Sequence, residues 1–349
     1  MKRFADAHVH MSDLDFGKCK AYLDLLAAQE VTDVALQSLT YRSIAYNLAV
    51  LYWKGTYKKL KLSAFGMVHN EDFYQAIPFE VQAKALLDMG CDGIKMMYAP
   101  STRKRLGYGV NDARYDGLFT YLEDNGIPIV IHVNDPEEFW EERALTEYEK
   151  SRGWGYFDGT YLSKQEIYDE TFQMLDKHPR LRVTFAHFFF LSNHIEEATR
   201  VLETYPNVHF DLTPGWEMFL GFSKDIDAWQ AFFEKYADRI LFGTDCNDIK
   251  DFNPQIYQLV RMAISHDKTE FKMPAYRDYY IKGLDLSEAA LAKITYQNYV
   301  RFVGEPKKVD RGALLLAAKR LLVDIEHSEN EAFQAAAGFV RELLVRLGE

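Results

Sequence analysis

Six residues of this sequence have the types and placement to share one chemistry: His8, His10, Lys95, His132, His187 and Asp245. The first two stand in Phe4-Ala5-Asp6-Ala7-His8-Val9-His10, an alternating run that reads as a strand. Side chains of a strand point alternately to opposite faces. Asp6, His8 and His10 are therefore expected on one face, with Ala5, Ala7 and Val9 on the other, under covering helices. Two imidazoles one pleat apart can grip a metal ion from one wall. Lys95, His132, His187 and Asp245 each sit at or next to the end of a later apolar run. Several imidazoles and a carboxylate converging on one mouth make a borderline-hard donor set, suited to Zn²⁺ or Mn²⁺. A lone His-x-His is common by chance; four histidines and an aspartate at successive strand ends are not.

The elements that must position them alternate along the chain. Strands are expected at 4–10, 32–37, 62–68, 93–97, 127–132, 181–187, 208–212 and 240–245, and helices at 18–30, 43–53, 78–89, 112–125, 163 onward, 194–204, 225–236 and 287–303. Ser163-Lys164-Gln165-Glu166 matches a capping box. Strict alternation over about 300 residues calls for a parallel sheet, which eight units can close into a (β/α)8 barrel. No Gly-x-Gly-x-x-Gly follows a strand, which argues against an open dinucleotide-binding sheet. Two segments interrupt the pattern. Residues 133–162 are acidic and aromatic and too long for a connection, hence a lid or binding loop. Residues 247–285 form a long loop with a helix near 255–265. Residues 1–304 are read as the barrel domain. Residues 305–349, apolar-periodic at 314–325 and 333–347, are read as a helical extension packed on the barrel or against another subunit of a homo-oligomer.

Composition narrows the function. The 349 residues are 48% hydrophobic with a formal charge of −11, so a large core is available and the overall field repels nucleic acid and anionic membranes. No apolar run approaches the roughly 18 residues needed to span a bilayer. The start, Met-Lys-Arg running straight into a strand, reads as lacking a signal peptide. Cys19, Cys91 and Cys246 are scattered, without metal-type spacing, which fits free thiols and a reduced, cytoplasmic protein acting on a small molecule.

Asp6-Ala7-His8-Val9-His10, Gly93-Ile94-Lys95, Ile131-His132, Ala186-His187, Leu241-Phe242-Gly243-Thr244-Asp245 and Asn298 to Gly304 together resemble the amidohydrolase superfamily. The resemblance, over residues 1 to about 304, is to the amidohydrolase-related branch that includes aminocarboxymuconate-semialdehyde decarboxylase. It implies one divalent metal, Zn²⁺ or Mn²⁺, on His8, His10, His132 and Asp245, with Asp245 also taking the proton of an activated water. His187 is implied to stabilise charge on the substrate or to move a proton, and Lys95 to hold substrate as an ammonium. Where small residues usually follow the strand-six histidine, this chain has Phe188, Phe189 and Phe190.

Around these, Asp6 reads equally as an acceptor for an imidazole N–H or as a buried structural aspartate. Trp216 reads as a substrate wall or a loop anchor, Cys246 as packing, and His209 as facing the barrel interior. The expected activity is hydrolysis of an amide, ester or lactone-type bond. The alternative is non-oxidative loss of CO₂ from an unsaturated or aromatic carboxylic acid, for which Arg42, Lys95 and Arg103 are the candidate carboxylate partners.

Overall fold

The computed structural model describes residues 3–69, 76–275, 278–327, 329 and 331–348, excepting the side chains of residues 148 and 216. Eight strands, β1 Ala5–His10, β2 Asp33–Gln37, β3 Lys61–Met67, β4 Gly93–Tyr98, β5 Ile129–Val133, β6 Val183–Phe185, β7 Val208–Asp211 and β8 Ile240–Leu241, pair in parallel in chain order. Parallel neighbours require crossovers, and the helices between the strands supply them. The ring closes by hydrogen bonds between first strand and last: Ala7 N–H donates to the Phe242 carbonyl at 2.9 Å, Asp245 N–H to that of His8 at 2.9 Å, and His10 N–H to that of Cys246 at 2.7 Å. Gly243 permits this approach, since a Cβ there would lie 2.8 Å from Thr213 Cγ2 and 3.1 Å from His8 Cβ. The chain is a (β/α)8 barrel with C-terminal helices.

Strand β1 departs from simple alternation. Asp6 pairs with Val34 but Val9 with Leu36, so β1 spends one extra residue between them and forms a bulge. Parity flips there. Ala5 and Ala7 pack inside the barrel with Ala35, Phe65, Val130 and Leu241, above a floor of Tyr299, Phe302 and Val303. Asp6 turns outward, accepting hydrogen bonds from Tyr257 in the helix Gln255–Ser265 and from Thr244. Past the bulge, His8 and His10 face the interior and Val9 the helices. The expectation that Asp6 shares a face with the two histidines is thus corrected, because strict two-residue alternation takes no account of an inserted residue.

The closing segment runs as Glu288–Ala292, a π turn Lys293–Gln297 and Asn298–Val303. Asn298 Nδ2 donates to the carbonyls of Ala237 and Ile240, both at 2.6 Å, and so fixes the start of β8. Two helices follow strands where none was anticipated, Pro100–Leu106 and Trp216–Lys224. The long loop after β8 carries, besides its helix, a short antiparallel pair, Glu270–Lys272 with Tyr280–Lys282.

Residues 133–162 fold as short helical turns around their own apolar nucleus of Phe139, Leu145 and Tyr156, flanked by Trp140, Trp154 and Tyr161. The Ser163–Glu166 capping box then opens the helix Lys164–Lys177. The tail helices Arg311–Ile325 and Glu331–Arg346 pack on each other and on the barrel's flank, where Phe339 stacks on Phe16 at 5.0 Å. Their lead-in is tied down as well: Lys307 N–H donates to Asp92 Oδ1 at 2.7 Å, and Lys54 Nζ lies 2.6 Å from Asp92 Oδ2 in a buried ion pair. Among the described residues no helix is long and apolar enough to cross a membrane.

Candidate metal centre and active site

The bulge brings His8 and His10 together, their Nε2 atoms 3.1 Å apart. The outer nitrogen of each ring has a partner that can only accept: His8 Nδ1 lies 2.8 Å from Asp211 Oδ2, and His10 Nδ1 lies 3.3 Å from the Gln37 carbonyl. Each Nδ1 therefore carries the hydrogen, and two Nε2 lone pairs face each other. That arrangement calls for a proton or a cation between them, and the Lys95 ammonium, 3.1 Å from His8 Nε2, adds a donor from the chain itself. Asp245 supplies the negative charge, its Oδ1 3.0 Å from His10 Nε2 and 3.7 Å from His8 Nε2. Among the described residues these three side chains form a group able to hold a metal ion. The donor set, two imidazoles and a carboxylate with a further position open, fits a divalent ion such as Zn²⁺.

Electrostatics support the same reading. Burial lowers the pKa of both His8 and His10, which keeps the rings neutral and available as ligands. Burial acts in the opposite sense on Asp245, but a proton or cation shared at the Nε2 side of His10, with the other imidazoles adding to it, holds its carboxyl well below the usual range. The Asp245 side chain is 34% exposed while that of His8 is 1%, so the carboxylate is the member of the trio open to the mouth.

His132 and His187 form a second pair rather than joining the first. His187 Nε2 is 3.1 Å from His132 Nδ1, while His187 Nδ1 lies 3.2 Å from the Thr213 carbonyl and His132 Nε2 2.9 Å from that of Asn134. Its ring centre is 5.9 Å from that of His8, so the two pairs adjoin. Of the four ligands expected, the structure gathers His8, His10 and Asp245, and sets His132 one imidazole further along, against His187. Burial, with the neighbouring His132, lowers the pKa of His187 to about 4. His187 does not end a strand: β6 stops at Phe185, and His187 to Phe190 all have φ between 52° and 56°. Left-handed backbone costs an L-residue ~1–2 kcal/mol. The expected strand 181–187 ran into this turn because nothing in a run of phenylalanines signals positive φ.

Lys95 is fully buried with Nζ 3.1 Å from His8 Nε2, and burial lowers its pKa to about 8. Arg103 is committed to a two-pronged pair with Glu170, and exposed Arg42 lies over the Tyr41 ring. Asp6 proves structural, and burial, opposed by its hydrogen-bond donors, pushes its carboxyl up to about 7. Cys246 is buried in the outer core, as a packing role requires. His209 lies at the barrel's foot, its ring 5.3 Å from that of Phe302. Trp216 opens the helix Trp216–Lys224; its side chain is outside the described residues.

Asp211 was missed. It takes His8 on one oxygen, and on the other Thr213 Oγ1, Thr213 N–H at 3.1 Å and His187 N–H at 2.9 Å. Burial raises its pKa, and these donors work against that rise. The signal was available, since Asp211 ends strand seven as Asp245 follows strand eight.

Residues 76–304, well over half of the chain, match the family model described as Amidohydrolase; His8 and His10 precede the match. No curated protein sequence matches. Among solved structures, an uncharacterized TIM-barrel protein of Bordetella bronchiseptica is similar with TM-score 0.54 at 16% identity, covering 87% of this chain and 99% of its own. The 2,6-dihydroxybenzoate decarboxylase from Rhizobium gives 0.52 at 15% identity over 87% and 99%. The 5-carboxyvanillate decarboxylase of Sphingomonas paucimobilis gives 0.52 at 12% over the same shares. At such identities these likenesses concern the fold, whereas the family match spans the segments that carry Lys95, His132, His187 and Asp245: the chain belongs to the amidohydrolase family.

Proposed function

We propose that this protein is a metal-dependent hydrolase that cleaves an amide, ester or lactone-type bond of a small molecule. The observation that carries the reading is the facing pair of His8 and His10 Nε2 atoms, each turned inward by an acceptor behind it, with Asp245 Oδ1 alongside. A divalent ion held there, Zn²⁺ most readily and Mn²⁺ as the alternative, lowers the pKa of water and polarises a carbonyl. Asp245, ionised and open to the mouth, accepts the proton of the attacking water. His187, neutral at physiological pH, faces the same space with His132 beside it and takes up or returns a proton at Nε2. Lys95 offers an ammonium from below to an electronegative group of the substrate. We assign His132 with His187 to the substrate side, since it stands outside the trio. The three cysteines are buried and unpaired, which supports a reduced, cytoplasmic setting.

A second reading, loss of CO₂ from an unsaturated or aromatic carboxylic acid, is favoured by one observation. Of the three candidate cations, Arg103 is neutralised by Glu170, whereas Lys95 stands 3.1 Å from His8 Nε2, and a metal on that nitrogen would leave the ammonium for a substrate carboxylate. Zinc-loaded protein assayed against amides, esters, lactones and aromatic acids separates the two. Release of a carboxylic acid supports the hydrolase, release of CO₂ the alternative, and inactivity on every class counts against both.

A further inference from the structure

We propose that Phe188 and Phe189 are positioning residues, whose rings, held by different helices, fix the left-handed turn that aims His187 into the site. The proposal rests on His187 acting there, as argued above.

A run of four non-glycine residues at positive φ is a conformation that glycine would adopt without strain, and it persists only where the surroundings over-determine it. The turn throws successive side chains in different directions. Phe188 is fully buried among Phe210, Phe222, Trp229, Phe232 and Phe233, with ring centres 4.8 to 5.9 Å away, so it is gripped by the helices Trp216–Lys224 and Ile226–Lys235. Phe189, also fully buried, stacks on Phe185 at 4.1 Å and meets Tyr168 at 4.8 Å, so it is gripped by β6 and the helix Lys164–Lys177. The Tyr168 hydroxyl donates to the Phe189 carbonyl at 2.7 Å and Lys164 Nζ to that of Phe190 at 3.0 Å. Phe190 is left to lie over the two imidazoles, 5.1 Å from His187 and 5.6 Å from His132. The residue aimed by this clamp is His187, whose own N–H is tied to Asp211 and Thr213. Two large rings, each gripped by different helices and meeting at Phe210, hold a strained turn that glycines would leave free to move.

The test compares zinc-loaded full-length variants labelled with ¹⁵N-histidine: Phe188→Leu, Phe189→Leu and, as control, Phe119→Leu, which removes an equally buried ring in the helix Asp116–Asp124, packed on Tyr115 and His178. Side-chain ¹⁵N resonances report the histidines, zinc content reports the metal trio, and kcat and KM are read on any amide, ester or lactone the wild type turns over. The expected result is a displaced His187 resonance in Phe188→Leu and Phe189→Leu, with His8, His10 and zinc content unchanged. Their kcat falls by on the order of tenfold or more while KM shifts little, since small misplacements of an acting group are costly. Phe119→Leu lowers the melting temperature yet leaves His187 in place. The proposal is overturned if the His187 resonance stays at its wild-type position in both turn variants, or if Phe119→Leu displaces it equally. Should Phe188→Leu not fold, Phe188→Met carries the same comparison. A wild type inactive on every amide, ester and lactone counts against the hydrolase reading alone, because the resonances still judge the clamp.

Discussion

His8 Nδ1 lies 2.8 Å from Asp211 Oδ2, a fully buried contact between the first strand and the seventh. It settles which nitrogen of His8 faces the centre. The same carboxylate takes the backbone N–H of His187 on its other oxygen, so one side chain orients both the metal trio and the second imidazole pair.

Asp211→Asn should therefore weaken the metal centre without touching a ligand. An amide N–H placed against His8 Nδ1 favours the wrong tautomer and takes the lone pair away from the centre. Zinc affinity, measured by chelator competition, should fall roughly 10–100-fold. Wild-type affinity would show that Asp211 does not govern His8.

Asp6 is a matter of stability instead. Its carboxylate accepts from Thr244 Oγ1, Tyr257 OH and the backbone N–H groups of His8 and Thr244. Asp6→Ala leaves several buried donors unpaired at the seam of the barrel, and should cost about 3 kcal/mol or more by urea denaturation. Protein that remains folded should still bind zinc; a stability change below about 1 kcal/mol would contradict the assignment.

The lid region is tied to the site through one chain of contacts. The Tyr156 hydroxyl donates to Asp135 Oδ2 at 2.5 Å, and Asp135 Oδ1 lies 3.3 Å from His132 Nε2. Tyr156→Phe keeps the ring within its apolar nucleus but releases Asp135. Turnover should drop several-fold with zinc content unchanged, and unaltered turnover would separate the lid from the imidazoles.

Glu217 gives a pH signature of its own. It is buried with Oε1 lacking a partner, and burial raises its pKa from 4.5 to about 7. Below pH 4.5 both folded and unfolded forms hold the proton. Between about 4.5 and 7 only the folded form keeps it, so stability falls as pH rises through that window and levels off above it. Glu217→Gln should remove this loss, gaining on the order of 2–3 kcal/mol over wild type at pH 8 relative to pH 4.5. Parallel stability curves for the two proteins would refute it.

Much of this was legible in the chain because its signals are local. Alternating apolar runs marked all eight strands, and the strand-end rule of barrels gathered His8, His10, Lys95, His132, His187 and Asp245 into one mouth. What escaped depends on geometry that types and spacing do not encode. The bulge in β1 moved Asp6 outward and Ala5 and Ala7 inward, reversing the faces assigned by alternation. The left-handed turn at His187 hides in a sequence without glycine. Asp211 escaped because it stands one residue before the end of the expected strand 208–212, although it closes β7.

The central claim is that His8, His10 and Asp245 hold the metal while His187 works on the substrate. Zinc content of Asp245→Asn and His187→Asn, purified alongside wild type and dialysed against the same weak chelator, tests it most directly. The account predicts that His187→Asn retains about one zinc per chain, with turnover reduced on the order of 10²-fold or more. Asp245→Asn should lose most of its zinc together with its activity. Loss of zinc from His187→Asn, with Asp245→Asn keeping both metal and turnover, would contradict it.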